Sequence, residues 1–248
     1  TEALAGEGVT AWPHPWLADC LILSKTGNLE WLAAFQEGLF YVQDPASKLS
    51  ALALGPEPGM RVLDCCAAPG GKSFAAAIQM EGGGEVVSCD LHPHKKKLIQ
   101  AGADRLGLKN ITPLTADGKA VRPEWENAFD RVLVDAPCSG LGVIRKKPDI
   151  RYKDPEPLKD LPRVQRAILD NAARYVKPSG VLVYSTCTLL CRENEAVALG
   201  FLADHPHFKA EGFPLPECVG DARTGMLTLW PHRQGTDGFF ICRLRREG

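Results

Sequence analysis

Two cysteines, each placed shortly after an apolar run, are the residues best suited to covalent chemistry. Cys138 lies in the segment DAPCSG, and Cys187 lies in the segment YSTC. A cysteine thiolate is a strong nucleophile. When a thiolate adds to carbon 6 of a cytosine ring, the ring becomes an enamine whose carbon 5 can attack an electrophilic methyl group. The two cysteines therefore meet one requirement of methylation at carbon 5 of a pyrimidine ring.

The same chemistry needs an acid near the ring and a group that helps to release the product. Asp135, three residues before Cys138, would protonate or hydrogen-bond ring nitrogen 3 if burial favoured its neutral form. Lys72 would supply a positive charge that favours the thiolate. The alternative is that both cysteines are structural, because free cysteines are often buried.

A glycine-rich turn follows an apolar strand in the segment VLDCCAAPGGKS, residues 62–73. Such a turn at the start of a helix lets a ligand approach the backbone closely. Two common nucleotide-binding patterns do not fit, because GxGxxG is absent and Cys66 replaces the first glycine of a P-loop. The remaining pattern suits S-adenosylmethionine, which carries an adenosine and a cationic sulfonium. The predicted cofactor-binding residues of the turn are Cys66, Ala67, Ala68, Pro69, Gly70, Gly71 and Lys72.

Aspartates follow the next three predicted strands. Asp90 ends the second strand, Asp117 follows the third and Asp135 ends the fourth. A carboxylate after the second strand can accept both hydroxyls of a ribose, and one after the third can accept from an adenine amino group. We therefore predict that all three bind the cofactor, although one such aspartate alone is more typical of a helix cap or a turn.

A basic segment directly follows the Cys138 motif. It contains five positive residues, and Asp149 is the only acid among them. Cations at this density can neutralise phosphates along a nucleic-acid strand, and Tyr152 can stack on a base. The alternative is a solvated surface without a partner. The predicted RNA-binding residues are Arg145, Lys146, Lys147, Arg151 and Lys153.

These residues need a scaffold in which strand ends meet, and the pattern of the chain predicts one. Strand-like and helix-like segments alternate from residue 61 onwards. Predicted strands cover residues 61–65, 85–89, 111–115, 131–134, 181–185 and 239–244, and predicted helices cover 73–80, 93–106, 161–176 and 192–203. This alternation predicts a Rossmann-like α/β fold, with a mostly parallel central sheet and helices on both faces.

We predict a small N-terminal α/β subdomain over residues 1–55 and a catalytic methyltransferase domain over residues 56–248. In the first part we predict strands at 19–23 and 39–43, a short helix at 29–35, and a helix capped by Asp44 and running to Leu54. We expect this part to belong to a longer RNA-binding region.

The composition excludes other classes of protein. The net charge is −1, so affinity for RNA must come from local clusters. No apolar run approaches the length of a membrane span. The nine cysteines contain no CxxC pair, so we predict no metal site and reduced thiols in the cytoplasm. We expect a monomer.

Five segments together resemble the signature motifs of the Sun-type RNA cytosine-5 methyltransferases. They are FYVQDPAS, DCCAAPGGKS, DAPCSGLGVIRKKPDIRY, YSTCTLLCRENE and DGFF, and the resemblance covers residues 40–244. It implies methyl transfer from S-adenosylmethionine to carbon 5 of a cytosine in RNA. Within the family, the motifs resemble those of the bacterial enzymes that act on small-subunit ribosomal RNA, so this RNA is the expected substrate.

The resemblance also implies roles for individual residues. Cys187 matches the family's nucleophile, and Cys138 matches the cysteine that helps to release the product. The turn from Cys66 to Lys72, with Asp90 and Asp117, matches the cofactor site, and Asp135 matches an aspartate placed near the methyl donor and the target base.

The sequence departs from the family at two points. Relatives often have an arginine after the position of Asp90, where Lys95 is the nearest substitute. The N-terminal helical domain of full-length bacterial relatives is also absent from these residues.

Four alternatives remain open at this point. They are a methyltransferase that acts on tRNA, a non-catalytic RNA-binding module, a P-loop NTPase and a DNA cytosine methyltransferase. A DNA enzyme would use the counterpart of Cys138 as its nucleophile and would lack the motif around Cys187.

Overall fold

The apolar runs after residue 60 form strands, and the segments between them form helices, as the sequence predicts. The computed structural model describes residues Thr1–Gly248. The helices are α1 (Glu2–Gly6), α2 (Ala33–Gln36), α3 (Pro45–Leu54), α4 (Gly71–Gln79), α5 (Pro93–Arg105), α6 (Leu161–Ala173), α7 (Glu195–Asp204) and α8 (Pro231–Gln234). The strands are β1 (Thr10–Pro13), β2 (Leu21–Ser24), β3 (Arg61–Asp64), β4 (Glu85–Asp90), β5 (Ile111–Thr115), β6 (Phe129–Asp135), β7 (Val176–Thr186), β8 (Phe208–Ala210), β9 (Met226–Leu229) and β10 (Phe239–Arg246). Short 3₁₀ turns occupy Leu29–Trp31, Pro123–Trp125, Leu141–Val143, Pro148–Tyr152, Pro157–Asp160 and Cys191–Glu193.

Strands β3 to β10 form one eight-stranded sheet, whose first five strands are parallel. The order is β5-β4-β3-β6-β7-β10, and β8 and β9 pair with different parts of the outer edge of β10. The chain runs outward from β3 to β5 and then returns to β6 on the other side of β3. Ligands of open α/β sheets bind at such a reversal, beyond the carboxyl ends of the strands. The reversal therefore places a candidate site beyond β3 and β6.

Alternate strand residues supply two hydrophobic cores, one on each face of the sheet. Val62 belongs to a core that includes residues of α3, α4 and α5, whereas its neighbour Leu63 belongs to a core that includes residues of α6 and α7. This alternation reflects the period of two residues in a strand. Helices therefore cover both faces, as predicted.

The N-terminal part differs from the prediction in its strands and its short helix. Residues 39–43 do not form a strand, and the prediction was wrong because Leu39 and Val42 are each 62% exposed instead of covering a core. Strand β1, which the pattern did not indicate, pairs antiparallel with β2. The predicted helix at 29–35 is divided, since Leu32 is extended between a 3₁₀ turn and α2.

The predicted helix at 161–176 is shorter than expected, because β7 begins at Val176. Phe129 pairs with Val176 while Arg131 pairs with Val181, so β7 carries extra residues at this point. The segment Pro178–Gly180 resembled a break between a helix and a strand, but the strand continues through it by a shift of register. Near the next predicted helix, at 192–203, a 3₁₀ turn precedes α7.

Helix α3 confirms the predicted cap and packs on the main sheet. The Asp44 carboxylate accepts a hydrogen bond from the Ala46 backbone N–H at 2.9 Å. Leu49 and Ala53 lie in the same core as β3 and β7. A separate cluster of buried residues in the N-terminal part consists of Leu4, Val9, Leu32 and Ala34, whereas Leu17 belongs to the same core as α3. A domain boundary at residue 55 stays a prediction. No helix combines the length and the apolar character that a membrane crossing requires.

Candidate active site

The glycine-rich turn after β3 is held against the sheet by its backbone. The Ala67 N–H donates to the Cys89 carbonyl, and the Gly70 N–H donates to the Ala67 carbonyl, each at 2.7 Å. Gly70 has a φ of 117°, and a Cβ there would lie 2.4 Å from the Phe74 ring. Glycine is therefore required for this turn, which leads directly into helix α4.

Asp64 ends β3 beneath this turn and is buried. Its carboxylate accepts from the Ser73 hydroxyl at 2.8 Å, and Ser73 accepts from the Ser88 hydroxyl at 2.8 Å. Burial raises the pKa of Asp64 to about 7, although the hydrogen bond from Ser73 opposes the rise. The three side chains join β3, α4 and β4, which fixes the start of the helix relative to the strand ends.

Asp90 is the last residue of β4 and Asp117 follows the end of β5, and each caps a turn. Asp90 accepts from the His92 N–H at 3.0 Å, and Asp117 accepts from the Lys119 N–H at 2.9 Å. Asp90 is buried, and its second oxygen lies 3.7 Å from the Lys95 ammonium, the residue expected to replace an arginine. The second oxygen of Asp117 likewise lies 3.9 Å from the Lys119 ammonium. A carboxylate oxygen can accept more than one hydrogen bond, so these contacts are compatible with ligand binding.

The structure brings Cys138 and Cys187 together, although 49 positions separate them in the chain. Their sulfurs lie 3.3 Å apart. A hydrogen bond from Cys138 lowers the pKa of the Cys187 thiol. Burial and the Asp135 carboxylate oppose this effect, and the Lys72 ammonium adds to it. The same hydrogen bond and burial raise the pKa of Cys138 well above its ordinary value. Cys187 is therefore suited to act as the nucleophile and Cys138 to hold a proton. All nine cysteines are free thiols.

Lys72 and Asp135 form an ion pair beside the two cysteines. The Lys72 ammonium lies 2.8 Å from one Asp135 oxygen, and the Ser185 hydroxyl donates to the other at 2.8 Å. The Asp135 side chain is 27% exposed. A neutral Asp135 would require burial, whereas the structure shows a side chain that is partly exposed and paired with Lys72. The pair therefore presents one hydrogen-bond acceptor, the Asp135 carboxylate, and one donor, the Lys72 ammonium, to a nucleobase.

A buried polar network joins the two cysteine loops, and the sequence analysis did not identify it. One Glu193 oxygen accepts from the Ser139 N–H and from Gln165, each at 2.9 Å, while the other oxygen has no partner. The Ser139 and Thr188 hydroxyls lie 2.8 Å apart. Ser139 and Thr188 each follow a site cysteine, so the network holds the two loops together. The acidic segment RENE, close after Cys187, was the available signal.

Gly142 allows the Cys138 loop to dock on two other segments. Its N–H donates to the Cys187 carbonyl, and its carbonyl accepts from the Gly238 N–H, each at 2.9 Å. A Cβ on Gly142 would lie 1.9 Å from the Gly238 carbonyl oxygen. Backbone atoms approach so closely here that no side chain fits.

Gly142→Ala is expected to lower the free energy of unfolding by about 1–3 kcal/mol or more, since the added methyl must displace backbone. Chemical denaturation followed by circular dichroism measures the change. Gly6→Ala is the matched control, because a Cβ at Gly6 meets nothing within 4 Å. Equal stability of the Gly142→Ala and Gly6→Ala proteins would contradict the close backbone contact.

The predicted RNA-binding residues fall into two groups in the structure. Lys146 bridges Asp44 and Asp237, and Arg145 contacts Asp237 at 3.2 Å. These two cations therefore join the cap of α3 to the loop before β10. Lys147, Arg151 and Lys153 are exposed and form no ion pair. The exposed group retains its charge for a ligand, whereas the paired group is partly neutralised.

Comparison with known families places the chain among its relatives. Residues 51–245 match the family described as 16S rRNA methyltransferase RsmB/F. The chain belongs to this family. It is 46% identical over 253 residues to the probable ribosomal RNA small subunit methyltransferase B of Bacillus subtilis (strain 168), with 100% of this chain and 56% of that protein covered. It is 36% identical over 246 residues to the ribosomal RNA small subunit methyltransferase F of Serratia proteamaculans (strain 568), with 95% and 51% covered. The chain thus spans about half the length of these RsmB/F relatives, and the resemblance inferred from its motifs is confirmed.

Solved structures support the same relationship. The crystal structure of PH0851 has a TM-score of 0.92 and 34% identity, covering 99% of this chain and 56% of that one. The structure of NSun6 from Pyrococcus horikoshii with SFG has a TM-score of 0.77 and 31% identity, covering 89% and 56%. The fold of this RsmB/F chain is therefore the Rossmann-like fold of S-adenosylmethionine-dependent methyltransferases, as predicted.

Proposed function

We propose that this chain uses S-adenosylmethionine to methylate carbon 5 of a cytosine in small-subunit ribosomal RNA, through a covalent bond between Cys187 and the base. The observation that carries the proposal is the 3.3 Å approach of the Cys138 and Cys187 sulfurs beside the ion pair of Lys72 and Asp135. Opposite pKa shifts in two touching thiols fit a nucleophile and a proton-holding partner. The names of the relatives that cover this chain support the RNA substrate.

The turn after β3 fits the cofactor. The Phe74 ring leaves no room for a side chain at Gly70. A ligand can therefore approach the backbone of the turn from Cys66 to Lys72 closely, at the carboxyl edge of the sheet. Asp90 would accept from the ribose hydroxyls and Asp117 from the adenine amino group. When bound, S-adenosylmethionine supplies an electrophilic methyl group on a positively charged sulfur. The Asp135 carboxylate would offset part of that charge.

Cys187 and Cys138 would divide the covalent work between them. The Cys187 thiolate adds to carbon 6 of the cytosine, and the electron pair of the 5,6 double bond moves so that carbon 5 can take the methyl group. A water molecule then takes the proton from carbon 5, the double bond forms again and the bond between Cys187 and carbon 6 breaks. Cys138 gives its proton to the departing thiolate, which prevents it from adding to the ring again, and Cys138 then regains a proton from water.

The ion pair of Lys72 and Asp135 would hold the base during addition. The carboxylate can accept from the exocyclic amino group of cytosine, and the ammonium can donate to ring nitrogen 3. A donor at nitrogen 3 withdraws electrons from the ring and favours attack at carbon 6. The target base must leave its stack to reach these groups, so a single-stranded or flipped nucleotide is required. The basic residues Arg145, Lys146, Lys147, Arg151 and Lys153 would lie along the RNA backbone, and the three unpaired cations would contribute most.

RNA that carries 5-fluorocytidine tests the proposal directly. Fluorine on carbon 5 cannot leave as a proton, so the methylated base should remain bound to the protein. We expect a covalent complex that forms only with S-adenosylmethionine and small-subunit ribosomal RNA, and mass spectrometry should find the Cys187 peptide attached to the base.

Other outcomes of the same assay identify the alternatives. A complex that forms with tRNA but not with ribosomal RNA would show that the assignment of the substrate is wrong. Binding of both RNA and S-adenosylmethionine without methyl transfer would indicate a non-catalytic module.

A further inference from the structure

A groove with a volume of about 580 Å³ lies next to the two cysteine loops. Its apolar part includes Leu141, Ile144, Leu158 and Leu190. Three cations, Arg151, Lys153 and Arg192, also line it, and no Asp or Glu does. The volume lies in the range of small-ligand sites, which is about 300–1,000 Å³.

The walls of the groove are continuous with the proposed catalytic residues. Leu141 lies three residues after Cys138, and Leu190 lies three residues after Cys187. The hydrogen bond from the Gly142 N–H to the Cys187 carbonyl joins the two walls. A ligand in the groove would therefore be close to a base held at Cys187.

We propose that this groove binds the nucleotide next to the target cytosine on the same RNA strand. The inference rests on the proposed function. A base would lie on the apolar side chains, and its phosphate would contact the three cations. A groove without acidic side chains does not repel a polyanion, and its apolar side chains can cover a base that has left its stack. Arg192, Leu158 and Leu190 are thereby assigned to RNA recognition, in addition to the basic segment.

Cys191 provides a built-in reporter, because it lines the groove and is exposed. The experiment measures its alkylation by N-ethylmaleimide in the protein before and after covalent capture of a 5-fluorocytidine oligoribonucleotide. We expect capture to slow alkylation of Cys191 about ten-fold or more. Cys218, which is exposed but lies outside the groove, should react at an unchanged rate.

Charge reversal at Arg192 tests the phosphate contact. Arg192→Glu should raise KM for RNA more than it lowers kcat, and should leave the affinity for S-adenosylmethionine unchanged. The slope of log affinity against log salt concentration should fall by about 0.7, the value for one phosphate contact with a single strand. Lys109→Glu is the matched control, because Lys109 is exposed, forms no ion pair and precedes β5 at the opposite, amino edge of the sheet.

Removal of one base from the RNA tests whether the apolar part of the groove binds a base. An oligoribonucleotide that lacks the base on one side of the target should bind the wild-type protein about ten-fold more weakly. The same removal should have little effect in Leu158→Ala, because the two changes delete the same contact. The groove proposal is wrong, while the proposed function stands, if RNA is captured but Cys191 stays reactive and removal of either neighbouring base weakens binding equally in the wild-type protein and in Leu158→Ala. If no RNA is captured, the proposed function fails and the groove proposal fails with it.

Discussion

Cys187→Ala is expected to abolish methyl transfer, with a loss of at least about 10³-fold, because the ring cannot be activated without addition at carbon 6. Cys138→Ser is expected to give the opposite signature, in which the covalent complex with ordinary RNA accumulates. The 3.3 Å separation of the sulfurs lets Cys138 return a proton to Cys187, and a serine hydroxyl is a weaker acid. Denaturing gel electrophoresis of each variant with S-adenosylmethionine and ribosomal RNA separates the two results.

Cys218→Ser is the matched control, because it removes an exposed thiol outside the site. It should turn over as the wild-type protein does. A complex that accumulates in Cys187→Ser and is absent in Cys138→Ser would reverse the two roles and indicate the arrangement of DNA cytosine methyltransferases. Normal methylation by Cys187→Ala would refute the covalent mechanism.

The alkylation of Cys187 by iodoacetamide is expected to depend on Cys138, since the hydrogen bond from Cys138 lowers the pKa of Cys187. Because its pKa is lowered, Cys187 becomes a thiolate at a lower pH than an ordinary cysteine does, and its alkylation rate therefore rises at a lower pH. In Cys138→Ala the donor is lost, and the whole profile should move to higher pH. Hydrogen bonds to charged groups are worth about 1.5–3 kcal/mol, so alkylation at pH 7 should slow about ten-fold or more.

Peptide mass spectrometry measures this profile for Cys187 separately from the other cysteines. Lys72→Met should move the profile in the same direction, because Lys72 also lowers the pKa of Cys187, whereas Lys72→Arg keeps the charge and should have a smaller effect. Alkylation of Cys218 serves as the internal reference. A profile that stays in place or moves to lower pH in Cys138→Ala would contradict the assignment of Cys187 as the stabilised thiolate.

The ion pairs of the basic segment determine which of its residues are suited to tests of RNA binding. Lys146 contacts Asp44 and Asp237, so reversal of its charge would place three carboxylates together and disturb the loop as well as the RNA contact. Lys147, Arg151 and Lys153 are free of such pairs and are the better positions. The pairing partners lie 102 and 91 positions away in the chain, so the local sequence could not reveal them.

Much of the fold followed from the sequence, because strands and helices leave a local periodicity in the chain. The predicted strand at residues 111–115 matches β5, and the Asp44 cap lies where the sequence places it. Elements that depend on a neighbouring strand were not predictable in the same way. Residues 39–43 have the apolar pattern of a strand but no partner, and β7 continues through Pro178–Gly180 because Phe129 pairs with its first residue.

The sequence by itself determined which residues can do chemistry and the edge of the sheet at which they lie. Parallel strands end at a common edge, so Asp135, Cys138 and Cys187 had to fall near the glycine-rich turn. Only the tertiary structure decided their contacts: the 3.3 Å approach of two sulfurs, the pairing of Asp135 with Lys72, and the burial of Glu193 between the cysteine loops. Such contacts join side chains from distant segments, and their geometry depends on the packing of the whole sheet and its helices rather than on any local pattern.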